Sequence, residues 1–218
     1  MIAIRLAGLA ALSLLLCACN PLMRASLDTL GSSVRSPASL ELTRAQVNAL
    51  PYYQIEVTSE YGSAVMALVR VQGNVQYWRT SSNQLLLLQD GLVVRSLGFP
   101  NDLLGTRLPA DSPFRSGLQH IGEEQASQRW VDLSPGYQMD IPLSGSLRRG
   151  ELETVRILDQ DYSLLRIDER LSAPIKGMTS TNSYWVDPSD GFVMQSRQHV
   201  TPSLTVTITQ LRPLRGQP

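Results

Sequence analysis

Alternation of apolar and polar residues is the feature that most limits what this chain can fold into. From residue 53 onward, apolar side chains recur at every second position over short stretches, as at Tyr53, Ile55 and Val57. A period of two places such side chains on one face of a strand and is typical of antiparallel sheets with one face in water. Asp90-Gly91 and the turn that ends in Asp190-Gly191 separate apolar runs, and both favour hairpins because Asp and Gly tolerate positive φ angles.

The alternation predicts an all-β domain of about ten antiparallel strands, arranged as a curved sheet, a sandwich or an open barrel. One short helix precedes the sheet, because Thr43 can cap a helix through Ala49 that Pro51 cannot continue. Residues 100–136 carry Gly, Pro and Ser at close intervals. We predict a long loop region there, with a short helix or two, in a position to cover one end of the sheet.

The first 18 residues are typical of a secretory signal. Arg5 precedes an apolar run at residues 6–16, which is shorter than the roughly 20 residues of a transmembrane helix. Leu16-Cys17-Ala18-Cys19 resembles the lipobox of bacterial lipoproteins, in which a diacylglyceryl group is attached to the cysteine before cleavage on its N-terminal side. The sequence predicts a signal peptide over residues 1–18 and a lipid on Cys19; a buried apolar helix with two incidental cysteines is the alternative.

Composition beyond the lipobox bears on localisation and partners. Residues 19–39 are small and polar and predict a flexible tether of roughly 25 Å, followed by one β domain over residues 40–211 and a C-terminal tail over residues 212–218.

Asn20 follows the lipidated cysteine where an inner-membrane retention signal would have Asp, so we expect an outer-membrane protein facing the periplasm. The formal net charge is +0, and without a basic run we expect no nucleic-acid partner.

Neither of the two histidines lies in a known catalytic or metal-binding motif. His199 lies in a predicted strand and is most simply a solvent-facing residue. His120 precedes Glu123 and Glu124. Together these three residues could supply a base and an orienting carboxylate, but on a short helix such a string more often forms a solvated face. We therefore predict a protein that is not an enzyme, with no catalytic residues, no cofactor and no metal.

The tryptophans are the better candidates for a binding site. Trp78 projects opposite to Val75 and Tyr77 in a predicted strand. If those two residues face the core, Trp78 faces outward, where its ring could stack on a sugar; if the faces are reversed, Trp78 belongs to the core. Trp185 has the same two alternatives: its ring either faces outward or belongs to the core. Trp78 and Trp185 are therefore the candidate contacts for a glycan or a protein partner.

Several short motifs of the mature chain occur in the order and spacing of one family. They are Leu50-Pro51-Tyr52, Val69-Arg70-Val71-Gln72-Gly73-Asn74, Tyr77-Trp78, Asp90-Gly91-Leu92-Val93-Val94-Arg95-Ser96-Leu97-Gly98, Tyr184-Trp185-Val186-Asp187-Pro188, Gly191 and Gln195-Ser196-Arg197-Gln198. With the lipobox, residues 40–211 resemble the YjbF/GfcB family of exopolysaccharide and group 4 capsule lipoproteins. The resemblance implies an antiparallel β domain encoded beside genes for polysaccharide assembly or secretion, and it brings no established catalytic residues.

These observations favour a non-enzymatic outer-membrane lipoprotein that assists assembly or export of capsule or exopolysaccharide. Its partners would be the membrane, through the lipid, and either the polysaccharide or a polysaccharide-export protein. The alternative is a periplasmic carrier of lipid or lipoprotein, whose half-open barrel encloses an apolar cavity. A carrier requires a large apolar pocket beneath a helical lid, whereas an accessory factor requires an exposed binding patch.

Overall fold

All the strands of the described chain belong to one antiparallel sheet of twelve strands. The structure is a computed structural model and describes residues 40–134, 136–174 and 179–215. The all-β prediction is confirmed, with twelve strands in place of about ten. The predicted signal peptide, Cys19, the predicted tether and residues 216–218 lie outside the described residues.

The sheet follows the chain from strand to strand. Its order is β5-β4-β3-β2-β1-β12-β11-β10-β9-β8-β7-β6. All consecutive strands except β5 and β6 are therefore neighbours, and β1 also pairs with β12. The strands are β1 Gln54–Ser59, β2 Gly62–Gln72, β3 Val75–Arg79, β4 Leu85–Gln89, β5 Leu92–Leu97, β6 Leu103–Arg107, β7 Glu124–Leu133, β8 Gln138–Ile157, β9 Gln160–Ser172, β10 Ser180–Val186, β11 Val193–Thr201 and β12 Leu204–Arg212.

The two edge strands, β5 and β6, meet through side chains. The backbone N–H of Leu103 donates to the Ser96 hydroxyl over 2.9 Å. From β11, Gln198 accepts a hydrogen bond from the Val93 N–H at 2.9 Å and donates one to the Gly91 carbonyl at 2.8 Å. These contacts satisfy backbone groups at the edge, and the sheet is rolled into a nearly closed, barrel-like form.

The helices are few and short. Helix α1 (Arg44–Asn48) has Thr43 as its N-cap and Ala49 as its C-cap, which confirms the predicted N-terminal helix; Thr43 and Gln46 form a reciprocal capping box. Helix α2 (Pro113–Ser116) and a 3₁₀ turn (Leu118–His120) lie between β6 and β7. No helix in the described ranges is long and apolar enough to span a membrane.

The prediction of a long loop over residues 100–136 is wrong in part, because β6 and β7 lie within it. The short helices predicted there are confirmed. Strand β7 is not predicted because two of its buried positions hold Ser127 and Arg129. These polar residues interrupt the apolar alternation where the strand faces a polar cluster. Strand β8 is a single long strand with a register shift between Arg149 and Leu152.

Strand β4 and the first half of β5 are buried on both faces. Leu86 and Leu88 belong to one core cluster, whereas Leu87 belongs to a second cluster that includes Phe114 and Leu118 of the β6–β7 connection. A strand with apolar material on both sides has no need for polar residues at alternate positions. This explains the unbroken leucine run at residues 85–88.

Candidate functional site

A cleft of about 810 Å³, called here the end cleft, opens at one end of the sheet. In an antiparallel sheet every second turn emerges at the same end, so the β2–β3, β4–β5 and β10–β11 turns line it together. The β6–β7 connection and the segment after β12 complete the walls. The end cleft therefore collects residues that are far apart in the sequence.

The β4–β5 turn forms one wall. Asp90 has a φ of 52° and Gly91 a φ of 81°, the pair of positive angles that a two-residue hairpin turn requires. The Asn74 amide donates to the Asp90 carboxylate at 2.8 Å. Burial raises the pKa of Asp90 above its ordinary value, although the hydrogen bond from Asn74 and the charge of Arg115 act in the opposite direction.

The β10–β11 turn forms a second wall and is held by Arg215. One nitrogen of its guanidinium donates to Asp187 and to Asp190, each over 2.9 Å. The guanidinium carbon also lies 5.1 Å from the centre of the Phe192 ring, within range of a cation–π contact. The segment after β12 is thereby fixed against the turn.

Two glutamines bring amide oxygens to the lining of the end cleft. Gln210 on β12 is 5% exposed, and its Oε1 is buried without a hydrogen-bond partner among the described residues. Gln119 presents a second buried Oε1 with no partner in that part of the chain. A buried acceptor left unpaired costs free energy, so both oxygens suit a ligand that donates hydrogen bonds.

Aromatic side chains lie beside these polar groups. Tyr53 lines the cleft and is 40% exposed, and Phe192 lines it as a half-buried ring. Apolar surface with a few placed polar groups is the usual lining of a small-molecule site. The end cleft can therefore bind a ligand that has both apolar faces and hydroxyl groups, as sugars do.

The tryptophans singled out from the sequence do not line the end cleft. Trp78 is fully buried in the first core cluster, and its indole N–H donates to Gln76 at 3.2 Å. It presents no ring face to a ligand, so the core alternative describes it. Alternation could not decide this, because Val75 and Tyr77 on the other face of β3 pack against the second core cluster.

Trp185 is half-buried on the opposite face of β10 from the core residue Tyr184. Its indole N–H donates to Glu153 over 2.7 Å, and the Arg166 guanidinium carbon lies 5.5 Å from the ring centre. Much of the indole is thus already in contact with residues of β8 and β9. A role in glycan or partner contact stays a prediction for Trp185.

The histidines lie apart from one another. His120 is exposed and its Nδ1 lies 2.9 Å from the Ser116 carbonyl, while Glu123 and Glu124 are exposed nearby in the chain. His199 is half-buried, and burial lowers the pKa of its imidazole. Within the described ranges no group of three or more His, Cys, Asp or Glu side chains could hold a metal ion.

A second polar cluster lies in the interior of the sheet. The buried Glu169 carboxylate accepts hydrogen bonds from Arg129 at 2.6 and 3.1 Å and from the Ser127 hydroxyl at 2.7 Å. Phe114 of α2 lies against this cluster, with its ring centre 5.3 Å from that of Tyr184. A cavity of only about 10 Å³ adjoins Arg129. This cluster is an internal support for the fold and is separate from the end cleft.

Comparison with known proteins identifies the family. Residues 27–211 match the family described as group 4 capsule polysaccharide lipoprotein GfcB, YjbF. The chain belongs to the YjbF family. A relative from Escherichia coli K12, the uncharacterized lipoprotein GfcB, is 21% identical over 203 residues, which cover 92% of this chain and 95% of the relative. The resemblance read from the motifs is confirmed.

A solved structure shares the YjbF-family fold. The crystal structure of the hypothetical lipoprotein YmcC from Escherichia coli K12 aligns with a TM-score of 0.72 and 20% identity, over 91% of this chain and 99% of that one. The family description refers to capsule polysaccharide lipoproteins, and this member shares its fold with the hypothetical lipoprotein YmcC. Family membership supports attachment to a membrane.

Turn residues that form the walls of the end cleft could be recognised in the sequence, but the sequence did not show that these turns come together. Asp90 and Asp190 were recognised as turn residues, and turn chemistry explains each by itself. Only the alternating ends of the strands bring both turns to one place. The order of the hairpins could have suggested this, whereas the contribution of Gln210 and Arg215 depends on the pairing of β12 with β1.

Proposed function

We propose that this YjbF-family lipoprotein assists assembly or export of capsule polysaccharide by holding a segment of glycan in the end cleft. It acts without catalysis, anchored to the outer membrane by lipid on Cys19 and facing the periplasm. The observation that carries the proposal is the lining of the cleft, where the exposed ring of Tyr53 accompanies the unpartnered amide oxygens of Gln119 and Gln210.

The carboxylates of the end cleft favour binding over hydrolysis. Asp190 accepts a hydrogen bond from the Phe192 N–H at 2.9 Å and another from Arg215 at 2.9 Å, so both of its oxygens hold the turn together. The Asp90 carboxylate accepts a hydrogen bond from the Asn74 amide. A glycosidase needs two carboxyl groups aimed at one bond, whereas these two are occupied with their own turns.

The filling of the interior favours an accessory role over the alternative of a lipid carrier. Phe114, Leu118 and Ile121 of the β6–β7 connection pack into the second core cluster. In a carrier, the space that these side chains fill would be open for the bound lipid. The cavity beside Arg129, about 10 Å³, is close to the size that one water molecule needs and is far too small for an acyl chain. The end cleft is large enough for one, but its lining includes the charged side chains of Asp90, Arg115, Asp190 and Arg215, which an apolar chain would leave without water.

A deletion and complementation experiment tests the proposal. Deletion should lower surface polysaccharide without abolishing sugar synthesis inside the cell, because a periplasmic domain has no access to cytoplasmic sugar nucleotides. Tyr53→Ala should restore less surface polysaccharide than wild type, measured at equal membrane levels. Tyr137→Ala is the matched control, since Tyr137 is 84% exposed in a turn at the other end of the sheet.

The proposal fails if Tyr53→Ala complements as fully as Tyr137→Ala does. Single alanine substitutions at His120, Glu123, Glu124 and His199 should each leave the complementing activity within a few-fold of wild type, since none is assigned to chemistry. If one of these variants loses all activity while staying folded and membrane-bound, an enzymatic role replaces the binding role.

A further inference from the structure

We infer that the end cleft takes neutral, hydroxyl-rich sugar residues and disfavours sugars that carry a carboxylate or a phosphate. The inference rests on the proposed function and specifies the ligand class of the same site. It follows from the charges and hydrogen-bonding groups of the walls.

Carboxylates outnumber the positive charges at the walls of the end cleft. Among the described residues that line it, Arg115 and Arg215 are the cations. Arg215 is shared between the carboxylates of Asp187 and Asp190. Arg115 is exposed, and its charge acts on Asp90. These two guanidinium groups face three carboxylates, those of Asp90, Asp187 and Asp190, so an anionic sugar would meet a net negative charge.

A further negative charge would be unfavourable in these walls. Asp90 and Asp190 both line the cleft, and burial, which disfavours a charged carboxylate, raises the pKa of Asp90. A uronate or phosphate bound beside them would add like-charge repulsion. A neutral sugar would carry no such penalty.

The hydrogen-bonding groups favour a donor. The Oε1 atoms of Gln119 and Gln210 are buried acceptors without partners in the described chain. A sugar hydroxyl can donate to such an oxygen, whereas an ionised carboxylate only accepts. Gln210 lies on a strand and is 5% exposed, so its amide is held in place by the sheet. Gln210 is therefore the residue that selects a hydroxyl donor.

The test measures binding by the mature, lipidated protein in a detergent without a sugar headgroup. The probes are capsule oligosaccharides of the producing bacterium, separated by anion exchange into neutral and acidic fractions. A portion of the acidic fraction, with its carboxylates reduced to hydroxymethyl groups, is the matched control. Neutral and reduced fractions should bind, and the untreated acidic fraction should bind at least about tenfold more weakly because of repulsion.

Variants of the glutamines test the acceptor argument. Gln210→Leu should weaken binding of the neutral fraction at least about fivefold, because a hydrogen bond to a buried group is lost. Gln128→Leu, at an exposed position of β7, should bind as wild type. Gln119→Ala provides a second test if Gln210→Leu lowers the melting temperature. Unchanged affinity in both cleft variants overturns the assignment of these glutamines.

The outcomes separate the inference from the proposed function. Tighter binding of the untreated acidic fraction, weakened by added salt, overturns the inference and leaves a glycan site in place. If no fraction binds to the wild-type protein, both the glycan site and its ligand class are overturned. Binding of the neutral fraction that changes less than about twofold with salt supports both, since screening acts on charges.

Discussion

At the scale of single residues, the buried pair of Arg129 and Glu169 has the largest consequences. Their side chains are 5% and 0% exposed, and Gly145 leaves room for them, since a Cβ there would lie 2.4 Å from the Ser127 hydroxyl and 3.1 Å from Glu169 Oε1. Burial alone would raise the pKa of Glu169, but the charge of Arg129 and the hydrogen bonds to the carboxylate outweigh it, and the pKa lies below its ordinary value.

Removing one partner of this pair should be costly. Glu169→Gln should lower the free energy of unfolding by about 3–5 kcal/mol, because the Arg129 charge stays buried without its partner. The double variant Arg129→Met with Glu169→Leu should lose less than the single variant. Denaturant unfolding at pH 7 measures both. A double variant less stable than Glu169→Gln would show that the hydrogen bonds to Ser127 and Tyr184 matter more than the charge pair.

The Glu169 carboxylate also makes the free energy of unfolding depend on pH. A folded-state pKa below the ordinary value of 4.5 stabilises the protein at higher pH, and this contribution is lost as the pH falls through the lowered pKa. The difference in unfolding free energy between wild type and Glu169→Gln should therefore narrow below about pH 4.5. Urea titrations at several pH values measure it, and a constant difference would contradict the assignment.

The two tryptophans of the sequence prediction should behave differently. Trp78→Ala should lower stability by about 3–5 kcal/mol because it empties a fully buried site. Trp185→Ala should cost less, because its ring is only half-buried. Thermal unfolding compares them. Loss of complementation by Trp185→Ala at unchanged melting temperature would make Trp185 a surface contact, as the sequence suggested.

At the scale of elements, hairpin turns and hidden strands differ in how far the sequence reveals them. The Asp90-Gly91 hairpin could be predicted because turn chemistry is local. Strand β7 could not, because Arg129 occupies a buried position in it and the partner that makes this possible, Glu169, lies two strands away. Patterning detects a strand only where its buried face is apolar.

The β4–β5 and β2–β3 turns offer a matched pair of glycine substitutions. Gly91 and Gly73 both have positive φ, but a Cβ at Gly91 would lie 2.3 Å from a methyl carbon of Val193, whereas nothing lies within 4 Å of one at Gly73. Gly73→Val should cost about 1–3 kcal/mol from backbone strain, and Gly91→Val should cost more. Equal losses in denaturant unfolding would show that the turn moves away from β11 without penalty.

At the scale of the whole molecule, the lipobox makes the clearest prediction. Cys19→Ser should release the protein from membranes and leave the signal uncut by the lipoprotein-specific peptidase, because the serine hydroxyl takes no diacylglyceryl group. Cys17→Ala should change neither property. Membrane fractionation and the N-terminal sequence measure both. The lipid anchor is excluded if Cys19→Ser fractionates with the outer membrane and has the wild-type N-terminus.

The family, the fold class and the hairpins at Asp90-Gly91 and Asp190-Gly191 could be predicted from the sequence, because each rests on local patterns. The end cleft could not, because Asn74, Asp90 and Asp190 come together only after the whole sheet has formed. The face of Trp78 was likewise undecided, since it depends on what covers the other side of β3. Tertiary burial settles such questions where alternation is ambiguous.

The pairing of β1 with β12 also governs when the protein can fold. Gln54, the first residue of β1, pairs with Arg212, the last of β12, so one ladder joins the two ends of the domain. Contacts between distant parts of a chain form slowly, because a long loop must close first. The sheet cannot close until the final strand has been synthesised. If the predicted signal peptide directs export of the chain in an unfolded state, the sheet would close only once export is nearly complete.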